Sequence, residues 1–331
     1  MENIYSQKIL DVKSLIEKYD EPNFACNKFF YEQHQIYPVL AVILTNDDQG
    51  SVSYTKGIKR FCEKNYINCK DYRVSSAKEL SKTIENLNND KTVHGIMVMY
   101  PTGYQEKDTI FMNMINPMKD LEGLHNSYLG YLVQYEKFRD PEHLKKLVIP
   151  PTAKGILSIL KRYAIDYEDY FNKHSIYPEN NSENPFDLEG KRVTVINDSL
   201  AVGRSLALML LNENAYVQIC HQYTPFAKTL ESVKESDIII SAVPSASFII
   251  PTKYVPKNSI VIDISFDGNF EYPSVMEKCF KIAPRWNLVT KGNRINDMTL
   301  NRLVSNLHYL INCCLPDSTL LEMQKIQKLA E

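Results

Sequence analysis

The stretch KRVTVINDSLAVGRSLALMLLNENAYVQICH, Lys191 to His221, decides the fold. Val193-Thr194-Val195-Ile196 is a β-branched apolar run, the pattern of a strand buried on both faces of a parallel sheet. A polar turn, Asn197-Asp198-Ser199, and then Val202-Gly203 lead into a helical run from Ser205 to Asn212. Ala215 to Cys220 reads as the next strand. Strand, turn, helix and strand within about thirty residues make the βαβ unit that sets a ligand's phosphates at a helix N-terminus. The turn holds a single glycine, so the G-x-G-x-x-G fingerprint is absent. The pattern by itself admits either a nucleotide-binding unit or a purely structural one.

Outward from this stretch the same alternation continues. Strands are expected at Asp237 (DIIISAV), Ser259 (SIVIDI) and Lys281, and Asp297 to Cys314 reads as a closing amphipathic helix. Toward the N-terminus, Ser6 to Tyr19 has helical spacing. Pro38 to Thr45 (PVLAVILT) is a buried strand, and Ser51 to Asn65 is a helix with Ser51 as N-cap. Asp71 to Val74 is a short strand, and Ala77 to Asn88 a helix with Leu80, Ile84 and Leu87 on one face. Val93 to Met99 is another buried strand, and Thr109 to Ile115 is helical. Between Tyr128 and Val148 the signal is weak. Thr152 is read as the N-cap of a helix from Lys154 to Tyr163, and the Asn-rich segment 167–187 as a surface loop or insertion. The expectation is an α/β chain of repeated strand–helix units on parallel sheets.

At 331 residues the chain is long enough for about two domains. Its 38 basic and 40 acidic residues nearly cancel, so no bulk field draws nucleic acid or an anionic membrane. No run approaches the length of a membrane span. The seven cysteines include no CxxC pair and read as free thiols of a reducing compartment, so a cytoplasmic location is expected. The seven histidines are dispersed without ligand spacing, so no metal site is expected.

Four segments occur in a telling order: Ser51-x-x-Tyr54, VHGIMVMYP at 93–101, PMKDLEGL at 117–124, and VINDSLAVGRSLA at 195–207. Together they resemble the methylenetetrahydrofolate dehydrogenase/cyclohydrolase family, and most nearly its fungal-type, monofunctional, NAD-dependent branch. The likeness runs from about Val39 to Leu310. The resemblance implies a folate-binding α/β domain over 1–152, with the C-terminal helix (297–331) returning to it. It implies a Rossmann-type NAD-binding domain over 153–296, with the insertion 167–187, a cleft between the domains, and a homodimer formed through the Rossmann domains.

The chemistry stands apart from the name. Hydride transfer from a methylene bridge between two nitrogens leaves an amidinium-like cation that the substrate's own lone pairs stabilise. Alignment is then the protein's main task. Hydrolysis of the resulting methenyl cation is different, because water must be activated and a proton shuttled. Bifunctional members carry Tyr-x-x-x-Lys on the helix after the first strand; here Tyr54 is followed at the fourth position by Ile58. Lys56 and Lys59 lie about 160° and 100° from Ile58 around a helix, so neither replaces it. Met99 stands where those members have a glutamine. Both losses predict a dehydrogenase without cyclohydrolase activity.

By the resemblance, Tyr54 stacks on the folate ring system and Glu122 grips the pterin's donor edge, these two being the catalytic pair, with Met99 and Pro101 as further substrate contacts. Asp120 reads as a turn-forming residue. The cofactor set is Asn197, Asp198, Ser199, Gly203, Arg204, His221, Gln222, Val243, Ile264 and Thr299. Asp198 occupies the position at which NADP-using members place an arginine. A carboxylate there repels a 2′-phosphate, so NAD is the expected cofactor. Pro151 replaces a family cysteine, and the loop 291–299 has lost most of the family's glycines. These departures keep open a catalytically silent paralogue acting as a binding module, beside a bifunctional NADP-dependent relative.

Overall fold

The computed structural model describes residues 5–47, 49–174, 184–290 and 292–330. The chain forms α1 (Val12–Tyr19), α2 (Glu21–Gln33), β1 (Val39–Leu44), α3 (Gln49–Lys64), β2 (Asn68–Arg73), α4 (Ala77–Asn89), β3 (Gly95–Val98), α5 (Asp108–Met114) and α6 (Asn126–Val133). It continues through α7 (Pro151–His174), β4 (Arg192–Ile196), α8 (Ser205–Asn212), β5 (Tyr216–Cys220), α9 (Phe226–Lys234), β6 (Ile238–Ser241) and β7 (Ile260–Asp263). It closes with α10 (Ser274–Lys278), β8 (Lys281–Ala283), α11 (Ile295–Cys313) and α12 (Asp317–Ala330). The chain folds into two compact units, one of residues 17–151 with 300–331 and the other of 1–16 with 152–299.

In the first unit a three-stranded parallel sheet, ordered β2-β1-β3, is buried on both faces. Alternate residues of β1 serve different cores. Val39, Ala41 and Ile43 pack with Leu80, Ile84 and Phe111. Leu40, Val42 and Leu44 pack with Ile58, Met97 and Met99, and with Leu303 and Leu307 of α11. This double burial is why β1 reads as an unbroken apolar run. A Cβ at Gly95 would lie 3.0 Å from Leu307 Cδ1, so glycine lets α11 approach β3.

In the second unit five parallel strands run β5-β4-β6-β7-β8. β5 lies on one side of β4 and β6 on the other, which puts the topological switch point at the carboxyl ends of β4 and β6. The Asn197 side-chain amide donates to Ala242 O at 2.9 Å and ties the two loops there.

Several sequence expectations shift. By their contacts residues 5–16 group with the second unit rather than with 17–151. Ile9 bridges Ile282 in parallel, and Leu10 N–H donates to Ile282 O at 2.8 Å, covering the edge of β8. Ser51 and Thr152 lie inside helices rather than capping them, since α3 begins at Gln49 and α7 at Pro151, where proline's missing N–H costs nothing. Segment 167–187 is not all loop: α7 continues to His174, and 175–183 lie outside the described residues. The chain then returns onto this helix, with Phe186 stacked on Tyr163 at 4.9 Å and Asn184 Nδ2 donating to Ala164 O at 3.0 Å. The weak stretch after Tyr128 contains most of α6, whose cap is His125 Nδ1 accepting from Ser127 N–H. Among the described residues no helix is long and apolar enough to cross a membrane.

Candidate functional site

The first unit gathers Tyr54, Tyr100 and Glu122 around one polar spot. Tyr54 is half-buried on α3 and packs against the core. One turn on, Ile58 is 0% exposed and lines a small apolar cavity with Cys62, Leu121, Leu303 and Leu307. Met99 belongs to the same cluster and is 4% exposed. Its side chain therefore lies in the core rather than presenting itself to a substrate, which corrects its placement among the substrate contacts. Its carbonyl accepts from Thr45 Oγ1 at 2.8 Å. Pro101 is exposed, and its carbonyl accepts from Asn46 Nδ2 at 2.9 Å.

The turn that carries Glu122 is built by Asp120. Its carboxylate accepts from the backbone N–H groups of Glu122 (3.1 Å), Gly123 (3.0 Å) and His125 (2.8 Å). Lys119 O and Leu121 N bond to Ile96, so the turn is anchored to β3. Gly123 has φ +64, and a side chain there would press on the Val148 carbonyl at 3.2 Å. Burial pushes Asp120 up to about 6, opposed by those amide donors. Among the described residues Glu122 has no comparable donors. Burial, and then the Asp120 charge, push it up to about 8. Burial and the Glu122 carboxylate also raise the Tyr54 and Tyr100 hydroxyls well above their ordinary range.

Tyr100 was absent from the sequence-derived set, although it sits between Met99 and Pro101 in a segment already singled out. Its hydroxyl is buried and has no hydrogen-bond partner among the described residues. Such a group costs about 1–3 kcal/mol, which a ligand offering a donor or acceptor there would recover.

In the second unit the turn after β4 is organised by Asn197. Its side-chain oxygen accepts from Ser199 N (2.9 Å), Ser199 Oγ (2.7 Å) and Gly203 N (3.1 Å). Its carboxamide is thus engaged inside the turn, so it shapes the cofactor loop instead of offering a free contact. Leu200–Arg204 is a π-type turn leading into α8, with Arg204 N–H donating to Ser199 O at 3.0 Å. Gly203 is buried, and a Cβ there would fall 1.9 Å from Asn197 O. This is the close backbone approach that a phosphate-holding strand–turn–helix requires, and it fits a dinucleotide. Asp198 pairs with Arg204 at 3.3 Å, so two residues of the expected cofactor set are engaged with each other.

His221 and Gln222 are exposed after β5, and His221 Nδ1 accepts from Tyr223 N–H at 3.2 Å. Val243 and Ile264 are half-buried at the ends of β6 and β7. A network that sequence reasoning missed holds these ends. Asn269 Oδ1 accepts from Ser241 Oγ (2.7 Å) and Val243 N (2.9 Å), while Asp263 accepts from Asn269 N (2.9 Å) and the Tyr272 hydroxyl (2.8 Å). Thr299 is 3% exposed and its hydroxyl donates to Ile295 O at 3.2 Å within α11. Asp297 accepts from Gly292 N (2.9 Å) and Arg294 N (3.0 Å), giving the glycine-poor loop a helix cap in place of glycine-rich turns.

Comparison with known proteins also finds two domains, the first of them beginning at residue 10. The model of the tetrahydrofolate dehydrogenase/cyclohydrolase catalytic domain matches residues 10–122, and that of the family's NAD(P)-binding domain matches 181–310. Bifunctional protein FolD of Magnetococcus marinus is 32% identical over 284 residues, 82% of this chain and 86% of that protein. Methylenetetrahydrofolate dehydrogenase [NAD(+)] of Dictyostelium discoideum is 30% identical over 293 residues, 83% of this chain and 86% of its own length. The crystal structure of bifunctional FolD from Campylobacter jejuni superimposes with a TM-score of 0.74 at 28% identity, over 93% of this chain and 99% of that one. The NAD-dependent 5,10-methylenetetrahydrofolate dehydrogenase of Saccharomyces cerevisiae, 23% identical, shares the fold with a TM-score of 0.74 over 91% of this chain and 95% of that one. With a two-domain α/β architecture, both of the family's domain models matched and relatives 30% or more identical over most of both chains, the chain belongs to the tetrahydrofolate dehydrogenase/cyclohydrolase family.

Proposed function

We propose that this enzyme oxidises 5,10-methylenetetrahydrofolate to 5,10-methenyltetrahydrofolate with NAD and does not hydrolyse the product. The observation that carries the proposal is the apolar burial of Ile58 and Met99 beside Tyr54. Glu122 accepts from the donor edge of the pterin, and the Tyr54 ring stacks on it. NAD supplies the hydride acceptor. As the hydride leaves, positive charge develops on the substrate's N–C–N unit, and the protein holds that unit in line without taking up a proton. Hydrolysis needs a general acid–base pair at the methenyl carbon, and neither Ile58 nor Met99 moves a proton.

Asp198 supports NAD over NADP. Its pairing with Arg204 moderates the repulsion of a 2′-phosphate but occupies the cation beside it. The exposed edge strand β5, with Tyr216 and Ile219 on it and Leu211 of α8 nearby, supports a homodimer through this unit. A cytoplasmic enzyme feeding one-carbon units to purine synthesis completes the reading.

Parallel steady-state assays with NAD and NADP test it. Faster turnover with NAD and no methenyl hydrolysis are expected. NADP as the better cofactor would refute the Asp198 argument. No turnover with either, in a folded protein that binds folate, would leave a silent binding module.

A further inference from the structure

The loop after β6 is held by one residue from outside it. Asn269 lies between β7 and α10 and is 0% exposed. Its carboxamide pairs with the Val243 backbone as a neighbouring strand would. Oδ1 accepts from Val243 N–H at 2.9 Å, and Nδ2 donates to Val243 O at 3.1 Å. The Asn269 carbonyl accepts from Ile250 N–H at 2.8 Å, so both ends of the segment 243–250 are fixed to the same residue. Within it, Ser245 N–H donates to Val243 O at 2.9 Å and Phe248 N–H to Ser245 O at 3.2 Å, which folds the segment into tight turns.

Asn269 is itself fixed, its Oδ1 also accepting from Ser241 Oγ at 2.7 Å and its N–H donating to Asp263 Oδ2 at 2.9 Å. From the other flank of β6, Asn197 Nδ2 holds the Ala242 carbonyl. Residues 242 and 243 are therefore gripped by carboxamides that follow both neighbours of β6 in the sheet. They stand at the switch point, where ligands of such sheets bind. The phosphate-type turn follows β4, and the adenosine side of a dinucleotide lies toward the strand after it, here β5. The other half then passes on the β6 side. Asparagine suits position 269 because it offers the Val243 peptide an acceptor and a donor together, without a charge.

We propose that Asn269 is a positioning residue for the nicotinamide half of the cofactor. It sets the Val243 peptide, and through it the loop after β6, as a fixed edge for that half, and does not touch the cofactor itself. The inference rests on the reading that this unit binds a nicotinamide dinucleotide. Losing the carboxamide frees Val243 and weakens the hold on the nicotinamide half alone, while the adenosine half keeps its place beside β4 and β5.

Titrating the full-length protein with NAD and with ADP, which lacks the nicotinamide riboside, separates the two halves. Asn269→Ala should raise the Kd for NAD about tenfold. It should leave that for ADP within about twofold. Asn269→Asp keeps size and acceptor, but its carboxylate has no proton for Val243 O and stands against Asp263. The other groups facing this position are the Tyr272 hydroxyl, bonded to Asp263, and Arg285, which lies 5.6 Å over the Tyr272 ring. Protonation of the new carboxyl restores the donor, so the ratio of variant to wild-type Kd for NAD should fall toward one between about pH 8 and about pH 5.5. An Asn269→Ala protein that binds NAD as wild type does would overturn the proposal. So would equal losses for NAD and ADP, the mark of a general loosening. If that variant does not fold, the Asn269→Asp ratio decides, and a ratio constant across the pH range overturns the proposal. Should the wild type prefer NADP, the same comparison is made with NADP. Wild-type protein that binds ADP but neither dinucleotide overturns the dinucleotide reading and this inference with it.

Discussion

Glu122 ties substrate binding to pH. In the free protein, burial and the Asp120 charge hold its carboxyl up at about 8, against an ordinary 4.5. Its proposed role needs the carboxylate, because the donor edge of a pterin offers N–H groups and no acceptor for an O–H. Below about pH 8 a ligand must therefore expel a proton before it binds, and each further unit of acidity costs affinity up to tenfold. If the complex restores the ordinary value of 4.5, the dissociation constant for a non-reactive folate analogue should fall about fifteenfold between roughly pH 6.5 and 8 and then level off. Calorimetry near pH 6.5 in buffers of different ionisation enthalpy should show about one proton released per ligand. Asp120 titrates lower, at about 6, and is mostly ionised across the window, while the Tyr54 and Tyr100 hydroxyls stay protonated. Glu122→Gln should bind about 10–100-fold more weakly at pH 8 and lose the slope, since a charge-assisted bidentate contact is gone. The ligand-free protein gives an independent check. Its folded state keeps the proton that the unfolded state releases, so stability should fall as pH rises from 4.5 toward 8, and Glu122→Gln should flatten that fall. An affinity unchanged across the window, or a slope that survives in Glu122→Gln, would refute the reasoning.

Other perturbations test neighbouring parts of the argument. Ile58→Lys puts an ammonium into an apolar site and should cost about 3–5 kcal/mol in chemical denaturation. With Met99→Gln it should hydrolyse methenyltetrahydrofolate faster than the wild type, and a wild type already hydrolysing at the mutant's rate would sink the idea. Asp198→Ser should raise kcat/KM with NADP about 10-fold or more while changing that with NAD little, and an unchanged NADP rate would show that repulsion is not the barrier. Gly203→Ala drives a methyl into the Asn197 carbonyl and should cost at least about 3 kcal/mol, read as lower thermal stability and loss of NAD affinity in titration; a variant with unaltered NAD binding would contradict the close-approach reading.

The buried strands were legible because each is covered on both faces, so β1, β4, β6 and β7 announce themselves as apolar runs. β2 was only half read: it is an edge strand, NCKDYR, whose outward residues are polar. α2 went unrecognised because part of its buried face is polar, with Asn27 bonded to His308 at 2.8 Å and Tyr31 to Asn312 at 2.8 Å. In the site, residue types and spacing pointed to Tyr54, Glu122 and the Asp198 turn. They did not reveal that Arg204 closes onto Asp198 across a π-type turn, that Thr299 spends its hydroxyl within a helix, or that Tyr100 buries a hydroxyl without a partner. Those properties depend on who neighbours whom in space, which spacing along the chain does not encode.

The division of the chain also sets an order of events during synthesis. Residues 17–151 emerge before 152–299, yet the core beneath their sheet is completed by Leu300, Leu303, Val304, Leu307 and Leu310, which follow both stretches. The later-made body, 152–299 with the first sixteen residues, has all its parts before that point. The ribosome therefore delivers the cofactor-type body complete while the folate-type body still exposes an apolar face. A chain halted at Thr299 should be captured by a chaperone at β1 and α3 rather than at β4, and synthesis of the rest of α11 is the step that ends that exposure.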